Sequence, residues 1–293
     1  MRVTENLRIA HATSATTSAS SRAELASQVA SSGNRMSAPS DDAAGWSAVV
    51  RLDGRLSLVQ GRQTAATRAS SDLDLAEGAL ASATDVLVRA REIAVQMSNG
   101  AVDAKTRADM AGEVLGLRDQ LVALANTKGA TGYVFSGNKT LTAAFDAQGN
   151  FQGDDGVRNV EIADGVVARS NASGAKAFTA AGGRDVMADL QALATALSQN
   201  NVASVQSAIG LMESDQQQVT SARVDAGLAS ERLRSAGDVM AQTILSMQKA
   251  RSSEADADAV SAYSELVAAT TAYQRAVEVT RQVLSLSSVQ RTG

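Results

Sequence analysis

The chain has 293 residues, 44% of them hydrophobic but only 3% aromatic, so most of its apolar volume is Ala, Val and Leu. Such side chains cost little entropy in a helix and favour close packing of long helices over a core built on bulky anchors. The net charge of −4 comes with no basic stripe for nucleic acid, no apolar run is long enough to span a membrane, and Pro39 is the single proline.

Residues 1–32 are rich in Ser, Thr and Ala, with sparse apolar positions at Val3, Leu7, Leu25 and Val29. Low apolar density makes this a weak helix, marginal in isolation. The first residues also lack the apolar core of a cleavable secretory signal. A sharp break follows at Gly33-Asn34-Arg35-Met36-Ser37-Ala38-Pro39-Ser40-Asp41-Asp42. Pro39 forces its predecessor out of helical geometry, and Ser40, Asp41 or Asp42 is placed to cap the helix that follows.

From 43 to 98 the pattern reads in sevens: Leu52, Val59, Ala66, Leu73, Leu80, Leu87 and Ala94. Ala69, Ala76, Ala83, Ala90 and Met97 follow three places on, which predicts a long helix with a small-residue seam. Asn99-Gly100 ends it, and Met110, Val114, Leu117, Leu121 and Leu124 predict a second helix over 104–126. Between 129 and 184 the helical period disappears, glycine is dense, and Tyr133, Phe135, Phe145, Phe151 and Phe178 cluster. Candidate strands there are 133–136, 151–152, 157–162 and 165–169, separated by turn signals.

Helix resumes around 186–197 and again over 202–250, where Val205, Met212, Val219, Ala226, Leu233, Met240 and Met247 repeat the earlier seam. A capping signature at Ser252-Ser253-Glu254 precedes a last helix carrying Tyr263, Leu266, Tyr273, Val277 and Leu284. The expected fold class is therefore mainly α with a small β-rich insertion: a long antiparallel helical bundle or rod, its termini pairing as a coiled coil. Three domains are expected: 1–42 with 255–293 for terminal assembly, 43–128 with 185–254 as the helical rod, and 129–184 as a β-rich surface domain.

Reactive groups are scarce. There is no cysteine, which removes disulfides, thiolate metal sites and cysteine nucleophiles together, and suits either a reducing compartment or a chain threaded during export. The single histidine, His11, stands in the weak first segment with no evident partner. Asp41-Asp42 reads as a helix cap rather than a catalytic pair. The stretch from Asp146 to Asp155 resembles a calcium loop, but Phe151 and Val157 stand where Gly and Glu are needed. No phosphate loop or nucleophile elbow is present, so no catalytic residue, metal or cofactor is expected. The terminal segments have too little chain around them to bury their apolar faces. Val3, Leu7, Leu25, Val29, Tyr263, Leu266, Tyr273, Val277 and Leu284 are the candidate subunit-assembly residues.

The stretch Ser31-Ser32-Gly33-Asn34-Arg35-Met36-Ser37-Ala38-Pro39-Ser40-Asp41-Asp42-Ala43-Ala44-Gly45 resembles the N-terminal motif of the flagellin family, with Gly33, Arg35, Pro39, Ser40, Asp41 and Asp42 as its signature turn. A second block runs through Asn126, Tyr133, Phe135, Gly137, Phe145 and Gly153. It is similar to the hook–filament junction type within that family, and filament-forming flagellins lack it. Ala144 where proline is usual, Phe151 in place of Tyr, and the Ser/Thr-rich residues 8–24 depart from that pattern.

The resemblance implies a structural subunit of the bacterial flagellum, acting as the adaptor at the hook–filament junction. It would be exported unfolded by the flagellar type III route without a cleaved signal, and lie outside the cell. Its implied partners are other copies of itself, the hook-side junction protein, the flagellin filament and an export chaperone, with neither nucleic acid nor membrane among them. The alternative is a minor flagellin of the filament itself, and the 121–154 block is the discriminator. A secretion needle or tip protein would lack the Ser31–Gly45 motif.

Overall fold

The computed structural model describes the backbone of residues 2–292 and the side chains of residues 6–285. In chain order its helices are α1 (Arg2–Ser32), α2 (Ala43–Met97), α3 (Ala104–Ala125), α4 (Gly174–Phe178), α5 (Val186–Ser198), α6 (Val202–Ala255) and α7 (Ala259–Thr292). Its strands are β1 (Lys128–Gly129), β2 (Gly132–Tyr133), β3 (Asn159–Ala163) and β4 (Val166–Arg169), and one 3-10 turn covers Ala180–Gly182. The chain is mainly α with a small strand-bearing insertion between α3 and α5, as its pattern predicts.

Two compact units form: Met1–Leu58 with Ile244–Gly293, and Val59–Thr243. The divisions fall inside α2 and α6, whereas the sequence pattern breaks near 42 and 255. The β-bearing stretch lies within the second unit.

In the first unit α1 and α7 run antiparallel. Thr16 and Thr280 share a hydroxyl hydrogen bond of 2.7 Å, and Thr280 also donates to the Ala12 carbonyl at 3.1 Å. Among the described residues, those buried in this unit are small or slender: Ala26, Met36, Gly45, Ala255, Ala262 and Ala269. Alanine allows backbones to approach, so a sequence of low apolar density still forms a helix once it has a partner. Within the same unit Arg251 of α6 donates to Asp53 of α2 at 2.6 Å.

In the second unit the seams close on each other. Ala66, Leu73, Ala76, Leu80, Ala83, Leu87, Ala90 and Ala94 of α2 are buried, as are Val205, Met212, Val219, Ala226, Leu233 and Met240 of α6. The polar flanks fix the antiparallel register through Gln63 to the Gly237 carbonyl at 3.4 Å, Ser230 to Asp74 at 2.6 Å, and Arg91 to Glu213 at 3.3 Å. Buried Arg107 of α3 donates to the Met97 carbonyl at 2.9 Å, to the Asn99 carbonyl at 2.7 Å and to Asn200. One guanidinium thus satisfies carbonyls left open where α2 ends.

Two expectations need correction. α6 does not stop at Ser252-Ser253-Glu254 but runs on to Ala255, because Ser252 turns its hydroxyl to Asp256 instead of capping a new helix. Asp258 caps α7, accepting the Ser261 amide at 2.7 Å, and that bond is the main cause holding its carboxyl below the usual range. The insertion also contains less strand than its composition suggests. Of 133–136 only Tyr133 pairs in a strand, 145 and 151 meet in a single bridge, and 174–178 is helical. The remaining order comes from side chains.

Candidate functional site

The signature turn forms as a unit. Gly33 takes a left-handed φ of +69°, which an L side chain resists, and ends α1. The chain then crosses the junction of α6 and α7: the Arg35 amide donates to the Ala255 carbonyl and the Ala257 amide to the Gly33 carbonyl, both at 2.8 Å. Arg35 binds on both sides. Its Nη2 and Nε donate to the Glu254 carbonyl at 2.9 and 3.2 Å, and its Nη1 meets Asp42 at 3.1 Å.

The two aspartates divide the work. Asp41 Oδ2 accepts the amides of Ser37 at 2.8 Å and Ala38 at 2.9 Å, closing the turn that contains Pro39 and Ser40. Asp42 Oδ1 accepts the Gly45 amide at 2.9 Å and is the cap of α2. These backbone donors, with Arg35 second for Asp42, hold both carboxyls below the usual carboxylate range. A side chain at Gly45 would collide with Asp42 and Arg35.

The candidate assembly residues divide differently. Leu25 and Tyr263 are 60% and 61% exposed, and Leu7, Tyr273 and Leu284 are also exposed. Val29, Leu266 and Val277 are half-buried, and Val3 lies outside the residues whose side chains are described. The residues buried on α1 and α7 are alanines, with Thr16 and Thr280 bonded across the pair, while Val29, Leu266 and Val277 are partly covered and the remaining described candidates are exposed. Val260 and Val267, 76% and 64% exposed, extend the apolar surface of α7. They were not among the sequence candidates, although their seven-residue spacing is a helical signal.

The second block is brought together in the other unit. Asn126 accepts the Phe145 amide on Oδ1 at 2.9 Å and donates Nδ2 to the Phe145 carbonyl at 2.8 Å. Phe135 and Phe145 both meet Phe178 edge-on, with ring centroids 5.5 and 5.7 Å apart, and Phe145 meets Phe151 at 5.2 Å. The two edge-on contacts with Phe178 set positive ring edges against negative faces. Gly153 packs against the Phe151 ring, and Tyr133 lies under the Lys128 ammonium at 4.6 Å. Gly137, at φ +67°, leaves no room for a Cβ beside Asp154.

The calcium-like carboxylates are filled by the chain's own donors. Asp154 accepts the amides of Asn138 at 2.7 Å and Gly156 at 2.9 Å. Asp146 accepts from Gln148, Asn150 and Gln152. Among the described residues no group of three or more His, Asp or Glu side chains lies together as a metal site. One anchor left no signal in the sequence. Buried Asp72 of α2 accepts the Ala130 amide at 2.8 Å and the Thr131 hydroxyl, fastening the β1–β2 turn to the helix.

Comparison with known proteins agrees with this geometry. The bacterial flagellin N-terminal helical region matches residues 3–140. Flagellar hook-associated protein 3 of Escherichia coli is 39% identical over 116 residues, which cover 39% of this chain and 37% of that protein. The match thus spans little more than a third of that relative's length. A putative flagellar hook-associated protein from Vibrio parahaemolyticus superimposes with a TM-score of 0.67 at 23% identity, over 74% of this chain and all of that one. The flagellar junction protein FlgL from Legionella pneumophila does so with a TM-score of 0.54 at 17% identity, over 64% of this chain and 99% of that one. At these identities the superpositions speak for the fold. With its signature turn formed and residues 3–140 matched, the chain resembles the flagellin family over its N-terminal region and, there, flagellar hook-associated protein 3.

Proposed function

We propose that this chain is a structural, non-catalytic axial subunit of the bacterial flagellum, the adaptor that joins hook to filament. The observation that carries the reading is the exposed apolar surface of the paired terminal helices. The residues buried on α1 and α7 are alanines, while Leu7, Leu25, Val260, Tyr263 and Val267 are exposed. Scattered exposed apolar residues are ordinary, but so many large ones on two paired helices mark a surface awaiting partners. Those partners are further copies of this chain, a hook-side junction protein and the flagellin filament. Residues 1–42 with 255–293 act as the assembly domain, 43–128 with 185–254 as the rod, and 129–184 as the surface domain.

Export unfolded through the flagellar type III channel, with an export chaperone and without a cleaved signal, follows from the same reading. The 121–154 block favours the junction over the filament body, because its aromatic cluster and Asn126 clasp form the features in which the junction type differs from filament-forming flagellins. Deleting the gene in its host tests this. Hooks without filaments, with flagellin shed into the medium, are expected. Hooks that still carry normal filaments would return the chain to the role of a minor flagellin. A variant lacking residues 256–293 should be exported yet fail to restore filaments, and restored filaments would refute the terminal-pairing mechanism.

A further inference from the structure

The carboxyl of Asp215, on α6, is 0% exposed, and neither of its oxygens has a hydrogen-bond partner. Arg184 Nε lies 3.5 Å away, but that guanidinium is engaged with Asp189 of α5, Nε to Oδ2 at 2.8 Å and Nη2 to Oδ1 at 2.7 Å. Two carboxyls therefore share one cation, and the more deeply buried has the poorer share. A buried carboxylate without donors is disfavoured relative to its neutral acid.

The same stretch of α6 holds the connection that leads from the aromatic cluster into α5. Gln218, three residues on from Asp215, donates Nε2 to the carbonyls of Thr179 at 3.2 Å and Arg184 at 3.0 Å. Its Oε1 accepts the Arg184 amide at 2.8 Å. The connection thus rests on α6 through one amide that cannot titrate and one carboxyl that can.

We propose that Asp215 is a proton-operated latch: as a neutral acid it lets residues 179–189 seat on α6, and when it loses its proton to solvent it repels Asp189 and loosens that connection. In the neutral form its hydroxyl donates to the Asp189 carboxylate, so the two carboxyls and Arg184 make one satisfied group. In the charged form two anions compete for Arg184. Burial first, and then the charge of Asp189, raise the Asp215 carboxyl from 3.8 to about 7, with Arg184 pulling the other way and Asp185 adding a smaller push. Elsewhere on α6, Glu213 is occupied by Arg91 of α2 at 3.3 Å.

The direction follows from linkage. The folded value lies above the unfolded one, so the contribution to stability is complete below about pH 4 and is lost as pH rises through 7. Over that window one proton changes the local opening equilibrium by up to about tenfold per pH unit.

Amide hydrogen exchange on the full chain, corrected for intrinsic rates at each pH, tests the latch. Protection of residues 179–193 should fall at least about tenfold between pH 5 and pH 8 in the wild type, and stay level in Asp215→Asn. A wild type without the fall, or an Asp215→Asn variant that keeps it, would overturn the proposal. Asp189→Asn, which removes one repelling charge, should move the transition to lower pH, and an unmoved transition would refute the coupling. Carboxyl NMR on the unaltered chain gives a check that needs no variant: Asp215 should titrate near neutrality, and titration in the ordinary carboxylate range would sink the latch.

Discussion

Asn126 and Phe145 form a two-way clasp: the asparagine amide binds both the backbone N–H and the backbone C=O of the phenylalanine, at 2.9 and 2.8 Å. The clasp joins the end of α3 to the irregular stretch that follows, and so holds Phe145 against Phe178 and Phe151. Asn126→Ala leaves both backbone groups of Phe145 without this partner. We expect a loss of about 1–3 kcal/mol, read as a lower denaturant midpoint at unchanged slope. Asn126→Asp keeps the acceptor and loses the donor, and should fall between.

Two glycines make opposite predictions under the same substitution. Gly137→Ala meets a left-handed backbone and the wall formed by Asp154, and should cost more than about 1 kcal/mol. Gly78 lies within α2, with nothing near the position a Cβ would take. Gly78→Ala should stabilise by roughly 1 kcal/mol or less. Thermal melts of the two variants against wild type decide it, and equal effects would contradict the geometry.

The signature turn should be acid-labile. Asp41 and Asp42 are held below their ordinary value by backbone amides, and Asp42 also by Arg35. A depressed folded value means the contribution is present above the unfolded value of 3.8 and lost as pH falls below it. Exchange protection of residues 35–45 should therefore drop in strong acid and hold at neutral pH, opposite in direction to residues 179–193. Arg35→Lys, which loses the fork across Asp42 and the Glu254 carbonyl, should weaken the turn at neutral pH as well.

The exposed apolar residues should matter for assembly and little for folding. Leu25→Ser and Tyr263→Ser should each leave the melting of the isolated chain within about 0.5 kcal/mol of wild type. In the host, the double variant should be exported but should impair filament attachment, measured as shed flagellin and reduced swimming. A variant that melts early instead would assign these residues to the fold rather than to the surface.

Most of the helical organisation was legible from residue order. Leu73, Leu80 and Leu87 on α2, like Val205, Met212 and Val219 on α6, follow a seven-residue period that places each on one helix face, whatever lies across from it. The signature turn was legible for a related reason, since Gly33, Pro39 and Asp42 act on their own neighbours in the chain. What stayed hidden depends on groups far away in sequence. Arg35 binds the backbone carbonyl of Glu254, and a carbonyl leaves no trace in residue type. Asp72 anchors a turn 58 residues away, and Asp215 owes its altered acidity to Asp189 and Arg184 across a helix interface.

Local sequence determined where the helices run, which faces are apolar and which turn carries the flagellin-like motif, because helix periodicity and capping act over one or two turns. Tertiary structure decided that α1 and α7 bury alanines while Leu7, Leu25, Tyr263 and Tyr273 stay exposed. It also decided which carboxylates are satisfied and which is left buried without a donor, because both outcomes depend on what packs across from each residue.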